Sequence, residues 1–202
     1  MKHINILQPI RVITLTALLI AVNIKAPAQT DFSVKLNHAS VQGTSTLHDW
    51  ESQITELSGK GAFLVKNNII TTIKNLELKI PVESIKSKEG KIMDNKTYDA
   101  FLYEKNPFIT LTFSTTVVKT DPTKQVAMSA PGFLTMAEAT RPVTLTVKGA
   151  VLANGDLQVF VSQKLKMTDF DMVPPKAVLG TIHVGDEITV SFDVILEKVK
   201  KQ

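Results

Sequence analysis

Ile188-Thr189-Val190-Ser191-Phe192-Asp193-Val194-Ile195-Leu196 places an apolar side chain at every even position. Glu187, Thr189, Ser191 and Asp193 occupy the odd positions before Ile195. In an extended chain, successive side chains leave opposite faces, so a period of two describes a strand with one buried and one wet face. A helix would repeat its apolar residues three and four apart. The same alternation recurs upstream. Val143, Leu145 and Val147 are interleaved with Thr144, Thr146 and Lys148, and Ile109, Leu111 and Phe113 with Thr110, Thr112 and Ser114. Leu157, Val159 and Val161 lead on to Leu165 and Met167, and Leu76, Leu78, Ile80 and Val82 alternate with Asn75, Glu77 and Lys79. The chain is therefore all-β.

Turn residues stand where these runs end. Asn154-Gly155 joins two alternating segments, and both residues tolerate the positive φ of a tight hairpin. Lys66-Asn67-Asn68, Asp121-Pro122-Thr123 and Gly185-Asp186 punctuate further joins. The pattern predicts eight strands, at 31–41, 50–65, 69–82, 108–119, 124–137, 142–152, 156–167 and 187–199. Met93, Thr97 and Phe101 recur four apart and predict a short helix, which Pro107 ends. The stretch 168–180, with Pro174-Pro175 inside it, reads as a long loop. Eight antiparallel strands form either a sandwich or a closed barrel. Closure removes exposed edges, and the length of several strands favours the barrel.

Residues 1–28 form a separate segment. Lys2 and Arg11 give a positive start, Val12–Ile24 an apolar run, and Ala26-Pro27-Ala28 a small-residue site, the three parts of a secretory signal peptide cleaved before Gln29. The run is too short for a membrane anchor. The domain is then 29–202, with a periplasmic or secreted location. The whole chain has 23 Lys+Arg against 19 Asp+Glu. Removing Lys2, Arg11 and Lys25 leaves 20 against 19, a balance that speaks against nucleic-acid binding. There is no cysteine, which excludes disulfides, thiolate metal sites and thiol nucleophiles.

Catalytic chemistry finds little footing. His38, His48 and His183 lack any spacing that places two on one face, so no metal or other cofactor is expected. His48 and Asp49 are adjacent, and neighbouring strand residues point apart. No Gly-x-Ser-x-Gly elbow or phosphate loop occurs. Glu138, His48 and Asp94 are the only candidate proton-transfer groups, and the expectation is that the protein is not an enzyme.

Several segments together resemble the YceI-like family of secreted lipid-binding proteins. They are Phe32-Ser33-Val34 with His38-Ala39-Ser40-Val41, Thr46-Leu47-His48-Asp49-Trp50, and Met93-Asp94 with Tyr98. Further on come Asn106-Pro107-Phe108-Ile109-Thr110-Leu111-Thr112-Phe113, Gly132-Phe133-Leu134-Thr135-Met136, Thr140-Arg141-Pro142-Val143 and Val184-Gly185-Asp186-Glu187-Ile188. Asn106 stands where an aromatic is usual, and Met93 where many members carry arginine, so that arginine's head-group contact does not transfer. The resemblance implies an eight-stranded antiparallel lipocalin-like barrel with one short helix and a polyisoprenoid or similar apolar lipid in its lumen. On that reading Phe63, Phe101, Leu102, Phe108, Phe113, Leu134, Met136, Phe160, Met167, Phe170 and Met172 line the ligand tunnel. From residue types alone the same side chains equally describe a filled core, which would suit a protein-interaction or stress-response module. The helix and the 168–180 loop, as the irregular elements, are expected to border the entrance. Phe170→Asp is expected to impair loading with little change in stability.

Overall fold

In the computed structural model, which describes residues 30–66, 69–117, 119–120 and 127–199, the run 188–196 lies inside the longest strand, Ile182–Lys198. The signal segment and the turns at 67–68 and 121–123 fall outside the described residues. The described elements are β1 (Thr30–Ser45), β2 (Trp50–Ile54), β3 (Ser58–Lys66), β4 (Ile69–Pro81) and β5 (Ile85–Ser87). After them come helix α1 (Lys91–Ala100), β6 (Phe108–Val117), β7 (Lys119–Thr120), β8 (Ala127–Met136) and β9 (Ala139–Val151). β10 (Leu157–Lys166), β11 (Lys176–Ala177) and β12 (Ile182–Lys198) complete the order. Short 3-10 turns lie at Val82–Ser84, Met167–Phe170 and Val178–Gly180.

β12 decides the architecture because it is paired on both sides. One edge runs antiparallel to β10 from Leu157↔Leu196 to Lys166↔Glu187. The other runs antiparallel to β1 from Phe32↔Lys198 to Ser45↔Val184. With β3, β4, β6, β8 and β9 between them, the ladders form a closed eight-stranded antiparallel barrel. β2 and β5 extend it beside β1, and β7 and β11 are short additions to β8 and β12.

Two departures from the alternation have local causes. The strand expected at 50–65 is broken at 55–57, because β1 is shared by two partners. Its Ser40–Gly43 stretch pairs with β2, and its Thr30–Ser33 stretch pairs with β3. Between them the chain is drawn to the Val82–Ser84 turn. The Thr55 amide and hydroxyl both donate to the Ser84 carbonyl, at 3.0 and 3.1 Å, and the Ser84 hydroxyl donates to the Pro81 carbonyl at 2.7 Å. In β4, Asn75 adopts φ 48°, and the β3–β4 register shifts opposite it between Lys60 and Ala62. The resulting bulge changes the phase of the strand, so that Ile73 and Leu76 are both buried although three apart.

The apolar interior has two centres. At one end of the barrel the Phe32 ring meets the Phe63 ring edge-on, with centroids 5.3 Å apart at 88°, and Leu157 and Leu196 pack with them. At the other end, Val82, Phe101, Ile109, Met136, Met167, Phe170 and Met172 pack into a second cluster. Arg141 clamps the 169–171 segment over it, with Nε donating to the Asp169 carbonyl and Nη2 to the Asp171 carboxylate, both at 2.8 Å. Phe170 is only 1% exposed, so it belongs to the packed core and not to a free entrance loop. The expectation that Phe170→Asp would spare stability is corrected accordingly.

Phe32→Ala and Phe170→Ala should each destabilise the protein by about 3–5 kcal/mol, because each empties a fully buried aromatic site. Urea unfolding monitored by circular dichroism checks this; a loss below about 1 kcal/mol at either site would contradict the packing described.

Candidate functional site

Inward-facing side chains from all eight barrel strands do not fill the space they enclose. They surround a cavity of about 450 Å³ that extends toward α1. The alternation seen in the sequence generates the wall directly: Val159, Val161 and Leu165 of β10 and Ile188, Val190, Phe192, Val194 and Leu196 of β12 all line it. The Phe32–Phe63 cluster closes the deep end. The opposite end is bordered by Ser45, Leu47 and His48 at and just past the end of β1, by Glu89, Ile92, Met93 and Lys96 at α1, and by Pro175, Lys176 and Ile182 around β11. Gly132 on β8 shapes the wall between Ala130 and Leu134. A Cβ there would come within 2.6 Å of the Phe113 ring, so glycine is what allows that ring to lie against the strand.

Of the eleven apolar residues singled out in the sequence, Phe63, Phe101, Phe113, Leu134, Met136, Met167 and Met172 line the cavity. Phe170 is buried behind it. Phe108 and Phe160 are exposed and occupy the outward phase of their strands, next to Ile109 and Val159, which face in. Leu102 is exposed just past α1, at φ 51°. These four are therefore corrected as tunnel residues. What the sequence reading missed is the aliphatic wall, including Ile73, Leu145, Val159 and Val190; the phase of the alternating runs names most of these positions.

Most polar groups sit at the rim; within the wall Gln163 of β10 and Ser52 of β2 also line the cavity, with Gln163 Nε2 donating to the Lys164 carbonyl at 3.0 Å. Among the described residues, no buried side-chain nitrogen or oxygen lacks a hydrogen-bond partner. The Asp94 carboxylate is buried at the start of α1 and accepts the Ser87 amide at 2.7 Å, tying the helix to β5. Glu138 is exposed in the β8–β9 turn, 4.0 Å from Lys105. His48 is exposed at the mouth, its Nδ1 2.7 Å from the Asp49 carbonyl oxygen. The three candidate proton-transfer groups thus occupy different places and do not converge. Met93 presents a thioether to the cavity where the resemblance led one to look for arginine. The hydroxyl of Ser87, and after it the backbone amide of Glu89 itself, hold the Glu89 carboxyl below its ordinary value against the opposing effect of burial. Asp186 is also held low, first by the Thr168 hydroxyl at 2.7 Å and then by the Thr168 amide at 2.9 Å. This pair ties the 3-10 turn that carries Met167 to β12.

The family model described as the YceI-like domain matches residues 24–196. No curated protein sequence matches significantly. Among solved structures, Burkholderia cenocepacia BcnA superposes with a TM-score of 0.58 at 16% identity, covering 78% of this chain and 95% of its own. The Campylobacter jejuni YCEI protein gives 0.56 at 20% identity, covering 74% and 85%. A domain from Saccharophagus degradans, described as polyisoprenoid binding and implicated in plant cell wall breakdown, gives 0.56 at 13% identity, covering 83% and 98%. At such identities these likenesses show a shared barrel.

The Thr168–Asp186 tie carries a pH signature. A carboxyl whose pKa is depressed in the folded state adds stability at neutral pH and loses it as the pH falls through the depressed value. Asp186→Asn should therefore lower the melting temperature at pH 7. The gap to the wild-type protein should close below the ordinary carboxylate range. Paired thermal melts between pH 7 and strongly acidic buffer test this, and a gap that persists unchanged at low pH would refute it.

Proposed function

The chain belongs to the YceI-like family, and on that footing we propose that it carries a long-chain, isoprenoid-like lipid in the barrel lumen, outside the cytoplasm, and performs no catalysis on it. The observation that carries this reading is the cavity itself. Its wall is overwhelmingly aliphatic and aromatic from the Phe32–Phe63 end to the rim, with Gln163 of β10 and Ser52 of β2 as polar exceptions and further polar side chains at the rim. Such a lining rewards burial of hydrocarbon, at about 0.8 kcal/mol for each CH₂ withdrawn from water.

The dispersed positions of His48, Asp94 and Glu138 support carriage over proton transfer, since general acid–base chemistry needs its groups within reach of one reacting atom. The unfilled lumen argues in the same direction against a barrel that works only through its outer surface. The polyisoprenoid-binding description of the Saccharophagus degradans domain suggests the class of hydrocarbon. The signal-like segment at 1–28 supports a periplasmic or secreted location.

The test pairs extraction with obstruction. Organic extracts of the purified protein, read by mass spectrometry, should contain an isoprenoid or comparable long-chain lipid. The stripped protein should take up a fluorescent polyprenol analogue from detergent solution. Val161→Trp, which places an indole across the lumen between β9 and β12, should abolish that uptake while the far-ultraviolet spectrum stays that of a β-barrel. Preparations that contain no lipid and take up no probe would end the carrier reading.

A further inference from the structure

Four large apolar side chains that the fold leaves exposed stand around one opening. Leu47 and Ile92 border the cavity and are nonetheless exposed, which places them on its lip. Their neighbours His48 and Glu89 border the same cavity, which places the 46–48 loop and the start of α1 together at the lip. Leu179 occupies the turn between β11 and β12. The Thr46 hydroxyl reaches the Thr181 carbonyl at 3.4 Å and accepts the His183 amide at 3.2 Å, which holds that turn beside Leu47. Val173 lies between Met172 and Pro175, both of which border the cavity.

Leu179 is the least explained by folding. Its side chain is fully exposed, and its backbone sits at φ 51°, ψ 31°, a left-handed conformation that disfavours a branched side chain. Glycine or asparagine would serve the turn better. A strained residue that contributes nothing to the core points to a role outside it.

The charges at this end complete the picture. Lys88 is engaged by Glu51 at 2.5 Å, but among the described residues Lys91, Lys96 and Lys176 have no ion-pair partner. Asp49, Glu51 and Glu89 are acids on the same segments, and the Glu89 carboxylate accepts the Ser87 hydroxyl. Lys91 lies in the first turn of α1, where the helix dipole disfavours a cation, so helix stability does not account for it. Exposed aliphatic tips flanked by lysines without ion-pair partners match the interface of a bilayer that bears anionic headgroups, with hydrocarbon beneath and negative charge above.

We propose that the Leu47–Ile92–Val173–Leu179 rim docks on anionic phospholipid membranes, so that the cavity opens against the acyl chains and lipid passes between bilayer and lumen without crossing water. This rests on the carrier reading, and the experiment separates the two. Flotation with phosphatidylcholine vesicles, with and without phosphatidylglycerol, reads docking. Uptake of the fluorescent polyprenol analogue, from vesicles and separately from detergent, reads carriage. Val173→Asp/Leu179→Asp alters neither the core nor a residue lining the cavity. It should weaken flotation by about tenfold or more, since each buried aliphatic side chain is worth roughly that factor in partitioning. It should slow uptake from vesicles, and leave uptake from detergent and the melting temperature as in the wild-type protein. Lys91→Glu should remove the preference for phosphatidylglycerol.

Three results would overturn the proposal: a wild-type protein that floats with neither vesicle, a double variant that floats and loads like wild type, or a rim that proves to be the contact of a dimer broken by the same substitutions. A wild-type protein that floats but takes up no probe even from detergent would leave the docking surface standing and dismiss the carrier reading instead.

Discussion

The pairing of β1 with β12 is the constraint on which everything else depends. Once the first and last strands are joined, the circumference is set by eight strands. An eight-stranded barrel encloses an interior only as wide as side chains or one slender ligand. Whether that space is solid or hollow is then decided by the residues on the inward phase. At one end Phe32, Phe63, Leu157 and Leu196, on four neighbouring strands, are large enough to pack together and close the interior. Along the middle, valines and leucines reach inward without meeting, and the lumen stays open.

An open apolar lumen would collapse in a less constrained fold. In a helical core the elements slide together when side chains are shortened, and the residual void costs about 24 cal/mol per Å³. Here each wall strand is held by backbone ladders on both sides, and drawing the walls inward would break those bonds in a region where water cannot replace them. The cavity therefore persists through main-chain hydrogen bonding, not through any particular side chain. The same reasoning confines movement to the elements outside the ladder. The 46–48 loop, α1 and the 171–180 segment are fastened by discrete polar contacts such as Ser87–Asp94, Arg141–Asp171 and Thr168–Asp186.

The alternation made the strands and their inward faces readable, because a pleated chain converts sequence parity into direction. It could not reveal where parity is reset. Asn75 shifts the phase of β4 through a left-handed backbone, and the Thr55–Ser84 contact splits the predicted 50–65 strand through partners distant in sequence. The candidate site was legible in part for a related reason. Choosing aromatic and sulfur-bearing residues by type found Phe113 and Met136 but also selected Phe108 and Phe160, whose parity sends them outward. Choosing by parity would have found Val159 and Val190. Phe170 was selected by type as well, but its place behind the cavity follows neither type nor parity, since it lies in a 3-10 turn fastened by an arginine from β9.

Residue type nonetheless carries information at the mouth, where parity says nothing. Loops that only connect strands are ordinarily polar, because their backbone and side chains face water. The two connections nearest the opening depart from that rule at Leu47, Val173 and Leu179, and α1 departs from it at Ile92. A lumen lined with hydrocarbon needs an apolar approach if a ligand is to enter without first being fully hydrated. On the proposed carrier reading, the exposed residues at the rim extend the inner wall outward for such an entry. The closed ladder thus supplies a durable apolar interior, and the irregular elements at one end supply the surface through which it meets its surroundings.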